Sequence, residues 1–397
     1  MGEAASAQVD RADSHRIRAL KAVIALACLS SFALAPRLWL SGRTYPTAPV
    51  WPGLPPVPAP VDLVWFASLW ILLGLTLVEG SRRLGAGLFL ALTLPLMLWD
   101  QARWQPPIYQ YVLLLATLTV YPVRTDPMAR DRALQTARLI IAATYFWSGA
   151  QKINATFVGR VFPWMIGPIV AGWPAGLRSL ASSFGAVVPV LEIAIALGLL
   201  SRRFRGAAVL AAVTMHAAIL LAIGPLGHRW DRFVWPWNVA MAASVVILFA
   251  RSRDHDFSTL REVVRPAYGK LVLVLVAVMP ALSFVGMWDS YLSWSLYSGN
   301  LSEAVIRFGD PEVAGLPESV RARVKRRTSG EHVLDVFMWS VHDVGLEPYP
   351  EPRVYRHVAR WICQQVTDPT GIRLIIWTRP AILDGRREAT TYTCGEL

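Results

Sequence analysis

Apolar residues in this chain fall into blocks of roughly membrane-helix length, divided by short basic or Pro-rich connections. A helix needs about 20 apolar residues to cross a hydrocarbon layer of roughly 30 Å, where only backbone that satisfies its own hydrogen bonds is tolerated. The pattern predicts nine spans, near 19–39, 61–79, 84–99, 108–122, 135–153, 183–200, 206–223, 233–250 and 268–287. Residues 1–18 are polar and read as a mobile N-terminal segment. The connection 41–60 is too rich in proline for helix. Residues 154–182 contain FPWMIGPIVAGWP (162–174), apolar but broken by Pro and Gly. That stretch reads as re-entrant or lying on the surface, with a full span as the alternative.

The pattern changes at about residue 289. EAVIRF (303–308) is a short amphipathic stretch, and HVLDVFMWSVHDV (332–344) suits either strand or helix. PEPRVYRHVARWICQQV (350–366) reads as an amphipathic helix with Pro at its start. IRLIIWTRP (372–380) reads as a strand stopped by Pro. The expected architecture is therefore an all-α polytopic membrane domain over residues 19–288, followed by a small extracytoplasmic α+β domain over residues 289–397.

Composition points the same way. Charged residues make up 17 % and hydrophobic residues 54 %, against the roughly 25 % charged usual in soluble domains. Mean hydropathy is +0.40. The formal charge of +12 does not indicate nucleic acid, because the arginines sit between apolar blocks, where membrane orientation accounts for them. Arg82 and Arg83, Arg124, Arg130 and Arg132, Arg202, Arg203 and Arg205, and Arg251, Arg253, Arg261 and Arg265 occupy alternate connections. With Arg16, Arg18 and Lys21 at the first span, they predict a cytoplasmic N-terminus and an exported tail in a cytoplasmic (inner) membrane. Of three cysteines, Cys28 lies in the first span, and Cys363 and Cys394 lie in the tail. In an oxidising compartment these two would pair; two free thiols is the alternative. No spacing of ligands suggests a metal, and HExxH, CxxC and P-loop motifs are absent.

Polar side chains at membrane depth are costly and mark functional candidates. Lys152 lies about 24 Å along the fifth span, near its outer edge, and shares a helical stripe with Tyr145 and Ser148. It could snorkel to headgroups or face an internal cavity as a base. Glu192 and His216 fall near mid-bilayer, and a contact between them is plausible, either structural or catalytic. Asp100, Arg103, Gln105, Gln110, Tyr111 and Asn238 cluster at outer span ends, where they could line the same cavity or act as caps and anchors. NAT (154–156) and NLS (300–302) match the short glycosylation pattern.

YFWSGAQKINATF (145–157) resembles a segment of the vitamin K-dependent gamma-glutamyl carboxylases and the wider HTTM membrane family. TMHAAILLAIGP (214–225), followed by Pro236-Trp237, and LWDQARWQPPIYQY (98–111) resemble two further blocks of that family. The resemblance runs in order over roughly residues 60–250. It implies a shared helical core, an outward-opening active cavity, Lys152 in the position of the proposed base and His216 in that of a family histidine. The family's Asn-Asn-His is replaced by Gln105-Pro106-Pro107, its Lys pair by Gln151-Lys152, and the tail is far shorter. These departures argue against glutamate carboxylation and leave a quinone-like or lipid-like substrate. The candidate catalytic set is Lys152, His216 and Glu192, with Tyr145, Ser148, Gln105, Gln110 and Asn238 as substrate-binding candidates. A quinone is the one cofactor suggested. Membrane lipid or a hydrophobic small molecule is the expected ligand. The alternative is a non-catalytic membrane subunit that holds a membrane, exported or redox partner protein; a transporter ranks below both.

Overall fold

The computed structural model describes residues 2–55, 57–78, 80, 82–250, 252 and 258–397, with side chains described from residue 11 onward. Arg251 and Arg253 of the last basic connection lie outside the described residues. The membrane domain is built of helices α1 (Gly2–Leu34), α2 (Ala59–Leu77), α3 (Arg82–Trp99), α4 (Pro106–Val120) and α5 (Pro127–Gln151). Two short helices follow, α6 (Phe162–Val170), preceded by a π turn at Phe157–Val161, and α7 (Ala175–Ser183). Then come α8 (Val188–Leu200), α9 (Arg205–Ile223), α10 (Trp235–Phe249), the short α11 (Ser258–Val263), α12 (Ala267–Leu273) and α13 (Met279–Leu282), the last two joined by a π turn at Val274–Val278.

Among the described residues, six helical stretches are long and apolar enough to cross a membrane, at 11–34, 59–77, 82–99, 205–223, 232–249 and 267–285. A seventh is counted if 175–186 and 188–200, bent by 45°, form one span. This is a multi-pass membrane protein. α1 runs from Gly2 into the first span as one helix and carries an Asp13–Arg16 pair at 3.0 Å. Good helix formers dominate it, so nothing in the sequence breaks the helix before Leu34.

α5 is less apolar than the six long helices above, and most of its length is buried inside the bundle. It packs against α1, α4, α8 and α10, and Thr136, Arg138, Thr144 and Gln151 are all buried along it. Protein rather than lipid surrounds these groups, so they find partners: Arg138 Nε donates to the Leu248 carbonyl at 2.9 Å, and Gln110 Nε2 donates to Thr144 Oγ1 at 2.8 Å. Local chemistry sets both ends of α5. Asp126 caps its start by accepting the Met128 N–H at 2.8 Å, with Pro127 in the first turn. Beyond Gln151, Asn154 Oδ1 accepts the Phe157 N–H at 2.8 Å and starts the next helical segment.

The tail carries a five-stranded antiparallel sheet in the order β2-β3-β1-β4-β5, formed by β1 (Glu303–Phe308), β2 (Lys325–Arg326), β3 (His332–Asp335), β4 (Arg373–Trp377) and β5 (Ala389–Thr393). In the register, Ile306 faces both Leu334 and Leu374, all buried. The short helices α14 (Asp310–Gly315) and α15 (Glu318–Arg321) connect β1 to β2. Residues 332–344 resolve into both candidates: a strand to Asp335, whose side chain then caps α16 (Val336–Asp343) by accepting the Met338 N–H at 3.1 Å. α17 (Pro352–Cys363) buries Val354, Tyr355, Val358, Ala359 and Ile362, an apolar stripe of helical period, and packs on β4.

The tail sits against one end of the helices. Tyr45 N–H donates to Asp343 at 2.5 Å, Gln105 Nε2 to the Glu347 carbonyl at 3.2 Å, Trp230 Nε1 to Glu347 at 3.4 Å and Asn154 Nδ2 to the Ser298 carbonyl at 2.9 Å. The Arg-rich turns lie at the opposite helix ends, where Arg83 donates to the Thr119 carbonyl and Arg205 to the Ser252 carbonyl.

Cys363 and Cys394 are disulfide-bonded across 31 residues, tying the end of α17 to the C-terminal turn. Closing a loop of this length stabilises a fold by about 3–4 kcal/mol in the chain-entropy account. Replacing both cysteines with serine should therefore lower the unfolding temperature of the tail, measured by thermal unfolding with and without reductant. Equal unfolding temperatures would show the bond to be absent in the native protein.

Candidate functional site

Gly149 is where the site begins. A Cβ at this position would lie 2.6 Å from the Pro189 carbonyl oxygen and 3.0 Å from Glu192 Cβ. The missing side chain lets α8 approach α5 closely enough for Glu192 to reach across. Lys152 Nζ donates to both carboxylate oxygens of Glu192 at 2.9 Å and to Ser148 Oγ at 2.5 Å. The side chains of the pair are 9 % and 4 % exposed. Lys152 thus turns inward, and the expected Glu192–His216 contact is not formed. Depth along two helices does not fix their rotation, and the close approach at Gly149 lets Glu192 reach Lys152 instead.

His216, on α9, has different partners. Tyr145 Oη lies 2.7 Å from His216 Nε2, and His216 Nδ1 lies 2.8 Å from Asn238 Oδ1. Asn238 Nδ2 donates to the Val234 carbonyl at 2.9 Å, which makes its Oδ1 an acceptor. His216 must then carry its hydrogen on Nδ1, which leaves Nε2 to accept the Tyr145 hydroxyl. The chain Tyr145–His216–Asn238 therefore has a fixed direction, with each donor and acceptor used once.

The ion pair and this chain face one cavity of about 640 Å³. Tyr145, Ser148, Lys152, Glu192, His216 and Asn238 all line it, and the rest of the wall is almost wholly apolar. Ile169 of α6, Leu191 of α8 and Leu210 of α9 belong to the lining and are also exposed on the outer surface of the bundle. The rim therefore meets the surroundings through lipid-compatible side chains. At the tail-side end, where a mouth was expected, the cavity is lined by Trp294, Leu296 and Tyr297 from the segment after α13. In the sequence, YSGN (297–300) reads as a turn that begins at Tyr297, and nothing in the pattern marks Trp294 or Leu296 as cavity residues. Trp294 and Tyr297 have positive φ, 62° and 55°, conformations side chains adopt only when packing imposes them.

Several predicted site residues lie elsewhere. Gln110 stands behind the wall: its Oε1 accepts Trp237 Nε1 at 2.7 Å while its amide holds Thr144. Gln105 bonds the Ala102 and Glu347 carbonyls and fastens the tail. Asp100 pairs with Arg43, and Arg103 spends its guanidinium on the Leu38, Trp39 and Leu96 carbonyls. Span ends carry both cavity residues and loop-fastening residues, and residue type does not separate them. Asn154 and Asn300, in the two glycosylation matches, are buried and hydrogen-bonded, Asn300 to Gln151 Oε1 at 2.7 Å. Neither side chain is available as an acceptor. No group of three or more metal-ligating side chains occurs among the described residues.

Comparison with models of known families, with curated proteins and with solved structures finds no match to this chain.

Proposed function

We propose that this protein is a membrane enzyme of the HTTM, carboxylase-like type, acting on a quinone-like or lipid-like molecule held in the cavity beside Lys152. The observation that carries this reading is the buried Lys152–Glu192 pair facing an apolar chamber of about 640 Å³. An ion pair at membrane depth is costly to build, and an apolar chamber this size is of the volume that small hydrophobic ligands fill. A ring carbonyl or hydroxyl placed there would meet a cationic hydrogen-bond donor, Lys152, beside a carboxylate that can accept a proton, Glu192. Charge developing on the ligand's oxygen would be stabilised by the ammonium in a site of low dielectric. Tyr145 and His216 offer a second, oriented donor–acceptor pair a short way along the same wall.

The proposal includes a topology. Nine crossings, counting α4, α5 and the bent 175–200 segment, put the N-terminus in the cytoplasm of an inner membrane and the tail, read as an α+β domain, outside. A reporter fused after Leu397 should be active only when it functions outside the cytoplasm; a cytoplasmic signal sinks the nine-span count.

The direct test is extraction of the protein in polymer-bounded native lipid, followed by mass spectrometry of what stays bound. An apolar molecule retained by the native chain and lost from a Lys152→Met, Glu192→Leu double variant and from His216→Ala, each shown to be folded by thermal unfolding, supports the reading. Retention of no such molecule, with a membrane or exported protein co-purifying instead, would favour the alternative role as a non-catalytic subunit.

A further inference from the structure

A second cavity, of about 500 Å³, lies between the tail sheet and the outer helix ends. Its walls are aromatic. The rings of Trp230 and Phe337 are parallel within 8° at 6.1 Å, and Trp164 stands edge-on to Trp230 at 5.8 Å. Its charges are mostly acidic: Glu303, Asp335 and Glu347, with Arg160 as the one basic side chain in the lining. Arg160 is 74 % exposed and lies 3.9 Å from Glu303, which also receives Arg387 at 3.0 Å. Glu303 is therefore already compensated.

The other two carboxylates are not. Asp335 uses one oxygen to cap α16 and is exposed. Glu347 is buried, and its oxygens accept from Trp230 Nε1 and from Tyr291 Oη at 3.1 Å. The titratable groups acting on it are Asp231, Tyr291, Tyr297 and Tyr355, and none carries positive charge. Burial, and then the Asp231 carboxylate, push the Glu347 pKa up to about 8. Burial raises Asp231 to about 6, against hydrogen bonds from Tyr297 at 2.8 Å and from the Phe233 backbone that hold it down. Among the described residues, no basic side chain forms an ion pair with Glu347 or Asp335.

We infer that the chamber binds a water-soluble organic cation of the alkylammonium type, with its apolar body against Trp164, Trp230 and Phe337 and its charge facing Glu347 and Asp335. Ring faces attract such cations through their quadrupole, most strongly where water is excluded. The carboxylates add a charge-assisted contact that an uncharged molecule of the same shape lacks. A bound cation lowers the Glu347 pKa, so binding releases a proton. Affinity therefore rises as pH climbs toward about 8 and levels off above it.

The test uses the full chain in maltoside micelles, with choline as probe and 3,3-dimethylbutan-1-ol as its uncharged isostere, followed by tryptophan fluorescence and calorimetry at low and high pH. Choline should bind saturably, on the order of tenfold more tightly than the isostere, and more tightly at pH 8.5 than at pH 6 by roughly the shift in Glu347 ionisation. Glu347→Gln should remove the rise in affinity between pH 7 and 8.5, leaving only the step near pH 6 from Asp231. Asp335→Asn, at an exposed position that leaves the buried network intact, should weaken choline alone. Equal affinity for choline and its isostere would overturn the inference, as would choline binding indifferent to both variants. Repeating the titration in phosphatidylcholine and phosphatidylglycerol nanodiscs separates the sources. Equal affinity in the two supports a soluble cation, and loss of choline binding in phosphatidylcholine would assign the site to a lipid headgroup instead.

Discussion

Glu192→Leu is expected to destabilise the membrane domain by about 3–5 kcal/mol, because it strands the Lys152 ammonium in an apolar cavity without a counter-charge. Ser148 and its carbonyl still accept from Nζ, at 2.5 and 3.4 Å, but they supply no negative charge. Lys152→Met should cost a similar amount, by leaving the carboxylate unpaired. The informative variant is the double one. With both charges removed, the volume is kept and only the Ser148 hydroxyl loses a partner, so Lys152→Met with Glu192→Leu should recover most of the native thermal stability. A bound ligand that depends on the pair should nevertheless be lost from all three variants. Thermal unfolding in nanodiscs, together with the retained-ligand assay, reads both quantities. A double variant as unstable as either single one would mean that the pair is held by the fold for structural reasons. A double variant that is stable and still loaded with ligand would remove the pair from the site.

How much of this was legible in the sequence differs between the two levels. Membrane character and the start of a distinct tail follow from the length of the apolar blocks and from the change of pattern near residue 289. The sequence also drew attention to α5, through one Lys at the end of a stripe with Tyr145 and Ser148. What it could not supply was the rotation of one helix against the next. Glu192 and His216 sit at matching depths on adjacent helices, which made them natural partners, but the open flank at Gly149 brings Glu192 to Lys152 instead, and His216 takes Tyr145 and Asn238. A glycine in an apolar helix has several uses, and only the position of the neighbouring helix tells them apart. The tail-side lining formed by Trp294 and Tyr297 is less legible still. It depends on left-handed backbone at two aromatic residues, which no local preference predicts. α5 reads as a span at 135–153 even though buried arginine and threonine lower its hydropathy; the protein that surrounds it satisfies those groups.

Asp100 separates a site role from a structural one, and its replacement should have the second large effect. Asp100 was placed by its position at a span end among the residues able to line the cavity. Its side chain is fully buried against Arg43, itself 1 % exposed, and its Oδ1 also accepts the Ala48 and Ala102 N–H groups at 3.2 and 3.1 Å. Through these contacts it holds the Pro-rich loop that Gln101 reinforces with bonds to Ala48 and Pro49. That loop in turn reaches the tail, where Tyr45 meets Asp343 and Gln101 accepts Arg353 Nε at 2.6 Å. Asp100→Ala leaves a buried guanidinium with only carbonyl partners and two N–H groups unpaired, a loss of about 3–5 kcal/mol. The expected result is a lower unfolding temperature and new tryptic cleavage after Arg43 as the loop detaches. At temperatures where the helices stay folded, ligand retention beside Lys152 should be unchanged, because Asp100 does not line that cavity. Loss of ligand with unaltered stability and no cleavage at Arg43 would return Asp100 to the site. The contrast with Glu192→Leu is therefore diagnostic: both variants strand a buried cation, but only one of those cations faces the cavity.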